Sequence, residues 1–234
     1  MKPEDPRSIQ TMFAAISSRY DLTNAILSLG THHLWKRKLI EASGLFPGAR
    51  ILDCATGTGD LAFAFEAKSR GKAQIIGTDF CEEMLKEARK KATQRNSSVY
   101  FEWADATELP YSDDSFDIAS ISFGIRNTSD PKKVLSELSR VVQPGGKVLV
   151  LEFGQPSSPT LNWIFGLYAE HILPRLGGWI TGKPEAYAYL RHSSCEFPCG
   201  KKFLELATHA YSHIQSKKLY GGIAYLYILE RGKP

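Results

Sequence analysis

The densest chemistry in the chain lies in eight consecutive residues, Asp53-Cys54-Ala55-Thr56-Gly57-Thr58-Gly59-Asp60. They follow a short apolar run and precede a helical pattern. Glycines at 57 and 59 let the backbone turn sharply and approach a ligand with no side chain in the way. On its own, Gly57-x-Gly59-x-x-Ala62 also fits a dinucleotide fingerprint, and such a match is weak. The charges separate the ligands. A dinucleotide lays its pyrophosphate on the helix N-terminus that follows such a turn, where positive potential is wanted. Asp53 and Asp60 bracket this turn, and two carboxylates so close repel a pyrophosphate. They suit a ligand bearing an ammonium and a sulfonium. S-adenosylmethionine is such a ligand, and it has no phosphate.

Two further acids fall at matching places. Asp79 comes 26 positions after Asp53, directly after a second apolar run, where a carboxylate can accept both ribose hydroxyls. An aspartate there can also simply cap the next helix. Asp105-Ala106 follows a third run and can meet the adenine amino group. Asp53, Asp79 and Asp105 thus end three successive strands, the edge at which open α/β sheets bind ligands. Arg126-Asn127 follow a fourth. Tyr20, Asp21 and Asn24 lie in an N-terminal helical stretch. His32 and His33 are adjacent, so on a helix they point apart; they read as surface residues and a poor metal pair, and no His, Cys and carboxylate cluster calls for a metal. Cys54, Cys81, Cys195 and Cys199 lack the spacing of a zinc or redox motif and read as free thiols.

The elements that must position these residues follow from periodicity. Residues 8–45 carry Met12, Ile16, Tyr20, Ile26, Leu27, Leu34 and Trp35 at helical spacing, which predicts two or three short helices. Strands are expected at Arg50–Cys54, Gln74–Thr78, Val99–Trp103, Phe116–Phe123 and Lys147–Phe153. Helices are expected from Asp60 to about Lys68, over Glu82–Gln94 and from Asp130 to Val142, the last ended by Pro144-Gly145-Gly146. Strands alternating with helices predict a parallel sheet with right-handed crossovers. Ser212–Leu219 and Ile223–Arg231 are joined by glycines with no room for a helix, so the last strand should be antiparallel. The fold class is therefore α/β, a Rossmann-like sheet of seven strands, mostly parallel, with helices on both faces. The expected organisation is one domain over 1–234: a helical lid at 1–45, a cofactor-binding core at 46–153, an aromatic-rich substrate-binding insertion at 154–211 and a terminal hairpin at 212–234. Trp163, Phe165, Tyr168, Trp179, Tyr187 and Tyr189 fall in the insertion, which is too long for a plain connection.

These residues resemble the class I methyltransferases. Longer strings narrow the resemblance to the ubiquinone/menaquinone biosynthesis C-methyltransferase family: Arg19-Tyr20-Asp21-Leu22-Thr23-Asn24, Leu52-Asp53 to Asp60-Leu61, Ile121-Ser122-Phe123-Gly124-Ile125-Arg126-Asn127, Leu151-Glu152-Phe153 and Ala186-Tyr187-Ala188-Tyr189-Leu190. The resemblance implies C-methylation of a demethylmenaquinol, or of a related ubiquinone-precursor benzoquinol, with S-adenosylmethionine as cofactor. It places cofactor contacts at Thr58, Asp79, Asp105, Ala106 and Ser122, beside Asp53, Gly57 and Gly59 of the turn. Methylating a ring carbon needs an electron-rich ring held in line with the methyl group, and loss of a hydroxyl proton supplies the electron density. Arg126, with Asn127 beside it, is then the candidate for stabilising phenolate charge; paired with a strand-end acid, it would be structural. Asp21 is a candidate base and Tyr20 a candidate ring contact. A nicotinamide-dependent oxidoreductase is the rival from another class, and the acidic turn and the terminal hairpin count against it.

The composition is that of a globular protein, 43% hydrophobic and 23% charged, with twelve Phe and ten Tyr for a pocket that takes a flat ring. The net charge of +4 is dispersed; the run Lys36-Arg37-Lys38 reads as a solvated helix face, and no basic stripe marks a nucleic-acid reader. Met1–Tyr20 is too polar for a signal peptide or anchor, and no apolar run approaches the ~20 residues that span a bilayer. The expectation is a cytoplasmic protein acting on a polyprenyl quinol, with peripheral contact at the cytoplasmic face of a membrane and a homodimer both left open.

Overall fold

The computed structural model describes residues 6–28, 30–207 and 210–233; the side chains of Leu27 and Tyr187, both noted above, lie outside the described residues. The first strand, β1 (Arg50–Cys54), is apolar because it is buried on both sides, and β2 (Gln74–Asp79), β3 (Tyr100–Trp103) and β4 (Phe116–Ser122) lie parallel to it in one sheet. The sheet order is β3-β2-β1-β4-β5-β7-β6, where β5 is Val142–Phe153, β6 His213–Leu219 and β7 Ala224–Glu230. Only β7 runs against the rest, between β5 and β6, as the terminal hairpin requires.

Successive residues alternate between the two faces of the sheet. Ile51, Ile118, Leu149 and Leu151 enter a core shared with Trp35, Leu39, Phe65 and Leu85 from α3 (Thr31–Ala42), α4 (Asp60–Ser69) and α5 (Glu82–Arg95). Leu52, Ala119, Ile121 and Val150 enter a second core with Leu135 and Leu138 of α6 (Pro131–Val141) and Phe203 of α10 (Lys201–Ala207). Asp130 caps α6 by accepting from the backbone N–H groups of Lys132 and Lys133, with proline at the first helical position. One boundary differs from expectation. Helix α6 ends at Val141, and Pro144-Gly145-Gly146 lie inside β5, where the register to β4 slips between Phe116 and Ile118. The proline and glycines make a bulge at the strand's start and do not cap the helix.

Two helical groups cover the carboxyl ends of the strands. On one side are α1 (Pro6–Ile16), α2 (Tyr20–Leu27) and α3; on the other are α7 (Pro159–Leu167), a π-helical turn at Tyr168–Ile172, α8 (Leu173–Thr181) and α9 (Pro184–Glu196). Helix α1 packs on α5, and α2 packs on α8.

Candidate active site

Strand order reverses between β1 and β4, and a crevice opens at their carboxyl ends, where open α/β sheets bind ligands. The glycine turn forms its floor. Ala55, Gly57 and Gly59 all take positive φ, at 50°, 59° and 85°. A Cβ on Gly59 would lie 2.6 Å from the Phe101 ring, so that glycine is required by packing as well as by conformation. Gly57 has open space instead, the nearest atom to a Cβ there being Tyr20 Cε1 at 3.9 Å.

The crevice has two chambers that share Phe13, Tyr20, Ala55, Gly57, Ser122 and Phe123. The smaller, about 170 Å³, is bounded by Asp79, Phe80, Asp105 and Ala106. Asp79 accepts from Gly57 N–H through Oδ2 (2.7 Å) and from Cys81 N–H through Oδ1 (2.8 Å); burial pushes its carboxyl up, and these two bonds work against that. Asp105 Oδ1 accepts from the N–H and the hydroxyl of Thr107, both at 2.8 Å. The acids at the end of the second strand and just beyond the third therefore bound the smaller chamber, each fixed by local bonds.

The larger chamber, about 350 Å³, lies between the N-terminal helices and the insertion. Its back wall is aromatic. Trp35 and Phe123 have ring centroids 5.8 Å apart, Phe123 and Phe153 4.5 Å, and Trp35 and Tyr220 6.1 Å. Tyr20, Phe165, Tyr168 and Tyr189 line it as well. Arg126 sits against this wall, its guanidinium 5.2 Å from the Phe153 centroid. It is paired. Nη1 donates to Glu152 Oε1 at 2.6 Å and to the Phe123 carbonyl at 2.7 Å, and the two side chains are 3% and 1% exposed. Burial pushes the Glu152 carboxyl up, while Arg126 opposes the shift. Arg126 Nε, Glu152 Oε2, Ser122 Oγ and Trp35 Nε1 are all buried without a hydrogen-bond partner. Trp35, Ser122 and Arg126 line the crevice and Glu152 stands behind its wall, and a buried polar atom left alone costs about 1–3 kcal/mol. Asn127 Oδ1 accepts from the Tyr189 hydroxyl at 3.1 Å, tying the fourth strand's end to the insertion.

The charges of the glycine turn are more engaged than the sequence suggests. Asp53 is buried and accepts from Thr56 Oγ1 (2.6 Å) and Ser120 Oγ (2.8 Å); burial still pushes it up to about 6. Asp60 Oδ2 is 2.7 Å from Lys36 Nζ. Burial raises the Asp60 carboxyl, but Lys36 and the two histidines together hold it below its usual value. Lys36 thus turns inward, unlike Arg37 and Lys38, which are exposed. His32 is not a surface residue either, and it does not point away from His33: the two ring centroids are 3.8 Å apart and both rings lie 4.0 Å from Asp60 Oδ2. His32 is buried, its Nδ1 lies 2.6 Å from Ser28 Oγ, and burial with Lys36 and His33 nearby lowers its pKa to about 4. Asp21 accepts from the Thr58 hydroxyl and pairs with Lys91, which also donates to the Thr58 carbonyl at 3.2 Å. That clasp fastens α2 to the glycine turn and leaves Asp21 ion-paired.

A profile of the ubiE/COQ5 methyltransferase family matches residues 1–229. The chain belongs to that family. It is 51% identical over 225 residues to the ubiquinone/menaquinone biosynthesis C-methyltransferase UbiE of Bdellovibrio bacteriovorus, covering 95% of both chains. It is 40% identical over 228 residues to the demethylmenaquinone methyltransferase of Deinococcus radiodurans, covering 97% of this chain and 94% of that one. Among solved structures, a Thermotoga maritima protein described as a SAM-dependent methyltransferase, possible histamine N-methyltransferase, superposes with a TM-score of 0.66 at 19% identity, over 95% of this chain and 99% of that one. At that identity the likeness speaks for the fold.

The twelve residues singled out from the sequence converge on this crevice. Tyr20, Asp53, Gly57, Thr58, Ser122 and Arg126 line the larger chamber with Asp21; Asp79, Asp105, Ala106 and Asn127 line the smaller. Gly59 supports the turn from behind. Glu152, Trp35, His32 and Lys36 were not singled out as site residues. A glutamate interrupting the apolar run Val148-Leu149-Val150-Leu151-Glu152-Phe153 was a legible signal, since an acid there must be buried with a partner.

Proposed function

We propose that this protein transfers the methyl group of S-adenosylmethionine to a ring carbon of a demethylmenaquinol, a 2-polyprenyl-1,4-naphthoquinol, giving menaquinol. The observation that carries the reading is the larger chamber: an aromatic box of Trp35, Phe123 and Phe153 with the Arg126 side chain against it, beside a glycine turn bounded by acids. The donor set fits the cofactor. Asp79 and Asp105 stand at the nucleoside end, Ser122 lies between the chambers, and the glycine turn leaves open space over Gly57 for the ligand's backbone-like tail. When bound, S-adenosylmethionine supplies an electrophilic methyl group. The chain's own part is to hold a flat ring between Trp35, Phe123 and Phe153, to exclude water with α1–α3 and α7–α9, and to stabilise oxygen anion character on the ring. Arg126 is paired with Glu152 near the end of β5, the arrangement expected of a structural arginine. Because its side chain also lines the chamber, it is proposed as the cation for that charge, with Glu152 orienting it. Tyr20 contacts the ring from the lid, and Asn127 with Tyr189 fixes the insertion.

In this reading the chain works as one domain, with 1–45 as lid, 46–153 as cofactor core, 154–211 as acceptor site and 212–234 as the hairpin that closes the sheet. The acceptor's prenyl tail leads outward past Phe165 and Tyr168, which line the chamber, toward Trp163 and Trp179, which are 65% and 85% exposed. With exposed Leu167 and Leu176 on the same helices and Ile172 in the turn between them, these two tryptophans form the face that meets a membrane surface. Among the described residues no helix is long and apolar enough to cross one.

The test is turnover of a long-chain demethylmenaquinol presented in liposomes, followed by mass spectrometry of the quinone and by release of S-adenosylhomocysteine. Methylated product from the wild-type protein is expected, and its absence with cofactor bound would overturn the reading. A Trp163→Ser, Trp179→Ser variant should sediment less with liposomes and lose several-fold in turnover of the liposomal substrate, while a short-chain quinol in solution is methylated as before.

A further inference from the structure

His32 is the buried titratable group of the chamber that the mechanism above leaves without work. Three observations define its state. Its neighbour Ser28 donates its single hydroxyl hydrogen to the Asn24 carbonyl at 2.6 Å. The Ser28 oxygen is therefore an acceptor toward His32 Nδ1, 2.6 Å away, and that contact requires the hydrogen on Nδ1. The neutral ring then carries its lone pair on Nε2. Near Nε2 stands Asp60 Oδ2 at 4.0 Å, itself held by Lys36. His33, Lys36 and Asp21 are the other charged or titratable groups around the ring; Lys36 and His33 disfavour a resident proton, and Asp60 and Asp21 favour one. The ring is thus kept neutral at rest, with a carboxylate placed to stabilise a transient imidazolium.

His32 also shares a face of α3 with Trp35, one turn on, whose indole forms the aromatic wall. Arg126 stands over Phe153, whose ring centroid is 6.3 Å from that of Trp35. A 1,4-quinol held on the wall has hydroxyls at opposite ends of its ring, one for each of these groups.

Resting on the quinol reading above, we infer that His32 Nε2 is the acceptor for the hydroxyl proton next to the ring carbon that is methylated. As that carbon forms its bond to the methyl group, the O–H bond breaks toward Nε2, its electron pair becomes the carbonyl π bond, and the sulfonium sulfur keeps the electrons of the broken S–CH₃ bond. The methylated ring carbon then loses its hydrogen to water, the carbonyl oxygen recovers its proton from the imidazolium, and one proton is released overall. A weakly basic imidazole suffices, because the hydroxyl is a weak acid before the attack and a strong one once the ring has become a protonated enone. Asp21, ion-paired with Lys91 and bonded to Thr58, is the clasp of the lid in this account and not the base.

The experiment uses the full-length protein in two arms. In the first, long-range ¹⁵N–¹H spectra of histidine-labelled protein, without cofactor, should show His32 as the neutral Nδ1–H tautomer, and 1-naphthol should move its Nε2 resonance; an Nε2–H tautomer, or an Nε2 signal untouched by 1-naphthol, overturns the assignment. In the second, single-turnover methylation of a short-chain naphthoquinol is followed in His32→Asn and His32→Ala at saturating S-adenosylmethionine. A fall of a hundredfold or more is expected in both, with cofactor Kd within threefold of wild type, and added imidazole should restore His32→Ala in proportion to its neutral fraction. A full rate in either variant, or a loss that follows a weakened cofactor Kd and ignores imidazole, overturns it. If the wild-type protein bound 1-naphthol at His32 but methylated no quinol, the failure would lie with the proposed substrate and not with the proton acceptor.

Discussion

The two chambers of the crevice solve the problem of buried polar atoms in opposite ways. Around the smaller one each acid is satisfied before any ligand arrives: Asp79 by two backbone N–H groups, Asp105 by Thr107. Around the larger one Arg126 and Glu152 spend one arm on each other and leave Nε and Oε2 unpaired, and Ser122 and Trp35 leave a polar atom unpaired as well. The first chamber is a mould held by the backbone. The second is walled by side chains that carry unpaired buried polar atoms, a cost in stability that the first does not bear at its acids.

The largest expected effect comes from breaking the pair in the second chamber. Glu152→Ala leaves the Arg126 guanidinium buried without its partner, and a loss of about 3–5 kcal/mol of unfolding free energy is expected by denaturant titration. Arg126→Ala should destabilise on the same scale and cut turnover about a hundredfold or more. A double variant, Arg126→Met with Glu152→Leu, should recover most of the stability and none of the turnover. Recovery of both would mean that the pair is structural only, and the contrast between the chambers would collapse. Next in size, Asp79→Ala in the first chamber should raise the cofactor Kd at least tenfold, about 1.5–3 kcal/mol for a lost charge-assisted contact, and leave Gly57 and Cys81 N–H without their acceptor. Isothermal titration checks it, and unchanged affinity would remove Asp79 from the nucleoside site.

The smallest effect is one of pH. The pKa of His32 in the folded protein falls from 6.5 to about 4, so its stabilising contribution is complete above pH 6.5 and is lost as pH falls toward 4. Asp53, raised to about 6, has the opposite sign: its contribution is complete below 3.8 and lost as pH rises through 6. Both act in one window, so the difference between wild type and His32→Asn isolates the histidine. The wild-type advantage, or the smallest deficit, should stand above pH 6.5 and move against the wild type on acidification; a difference flat with pH would mean that the ring titrates normally.

The legible part of the molecule is the part whose side chains obey one local rule. β1 runs over Arg50–Cys54 as its apolar run implies, and the carboxylates that end β1 and β2, with the one just beyond β3, fall at the expected edge, because strand period and glycine turns are short-range facts. The aromatic box was less legible. Trp35, Phe123 and Phe153 come from α3 and the ends of two strands, and each alone reads as core. The N-terminal face was also misjudged: Ile26 and Leu34, expected on an apolar helix stripe, are 40% and 43% exposed, while His32 is buried and Lys36 largely so. The two or three short helices expected over residues 8–45 are present as α1, α2 and α3, and Gly30, at φ 74°, separates α2 from α3; the apolar spacing did not say which face of each short helix turns inward. Pro144-Gly145-Gly146 misled for a related reason, since a helix stop and a strand bulge draw on the same residues.

The packing of Gly59 against Phe101 bears on how relatives of this protein should be read. Its φ of 85° and the ring 2.6 Å from a would-be Cβ bar a side chain there whether or not anything is ever bound. A descendant that had lost catalysis would still be held by its fold to that glycine and to the buried Arg126–Glu152 pair, while Ser122 and His32 would be free to drift. Loss of function in a lineage would therefore be recorded at chamber residues such as Ser122 and His32 and stay invisible in the motif most often used to recognise the fold.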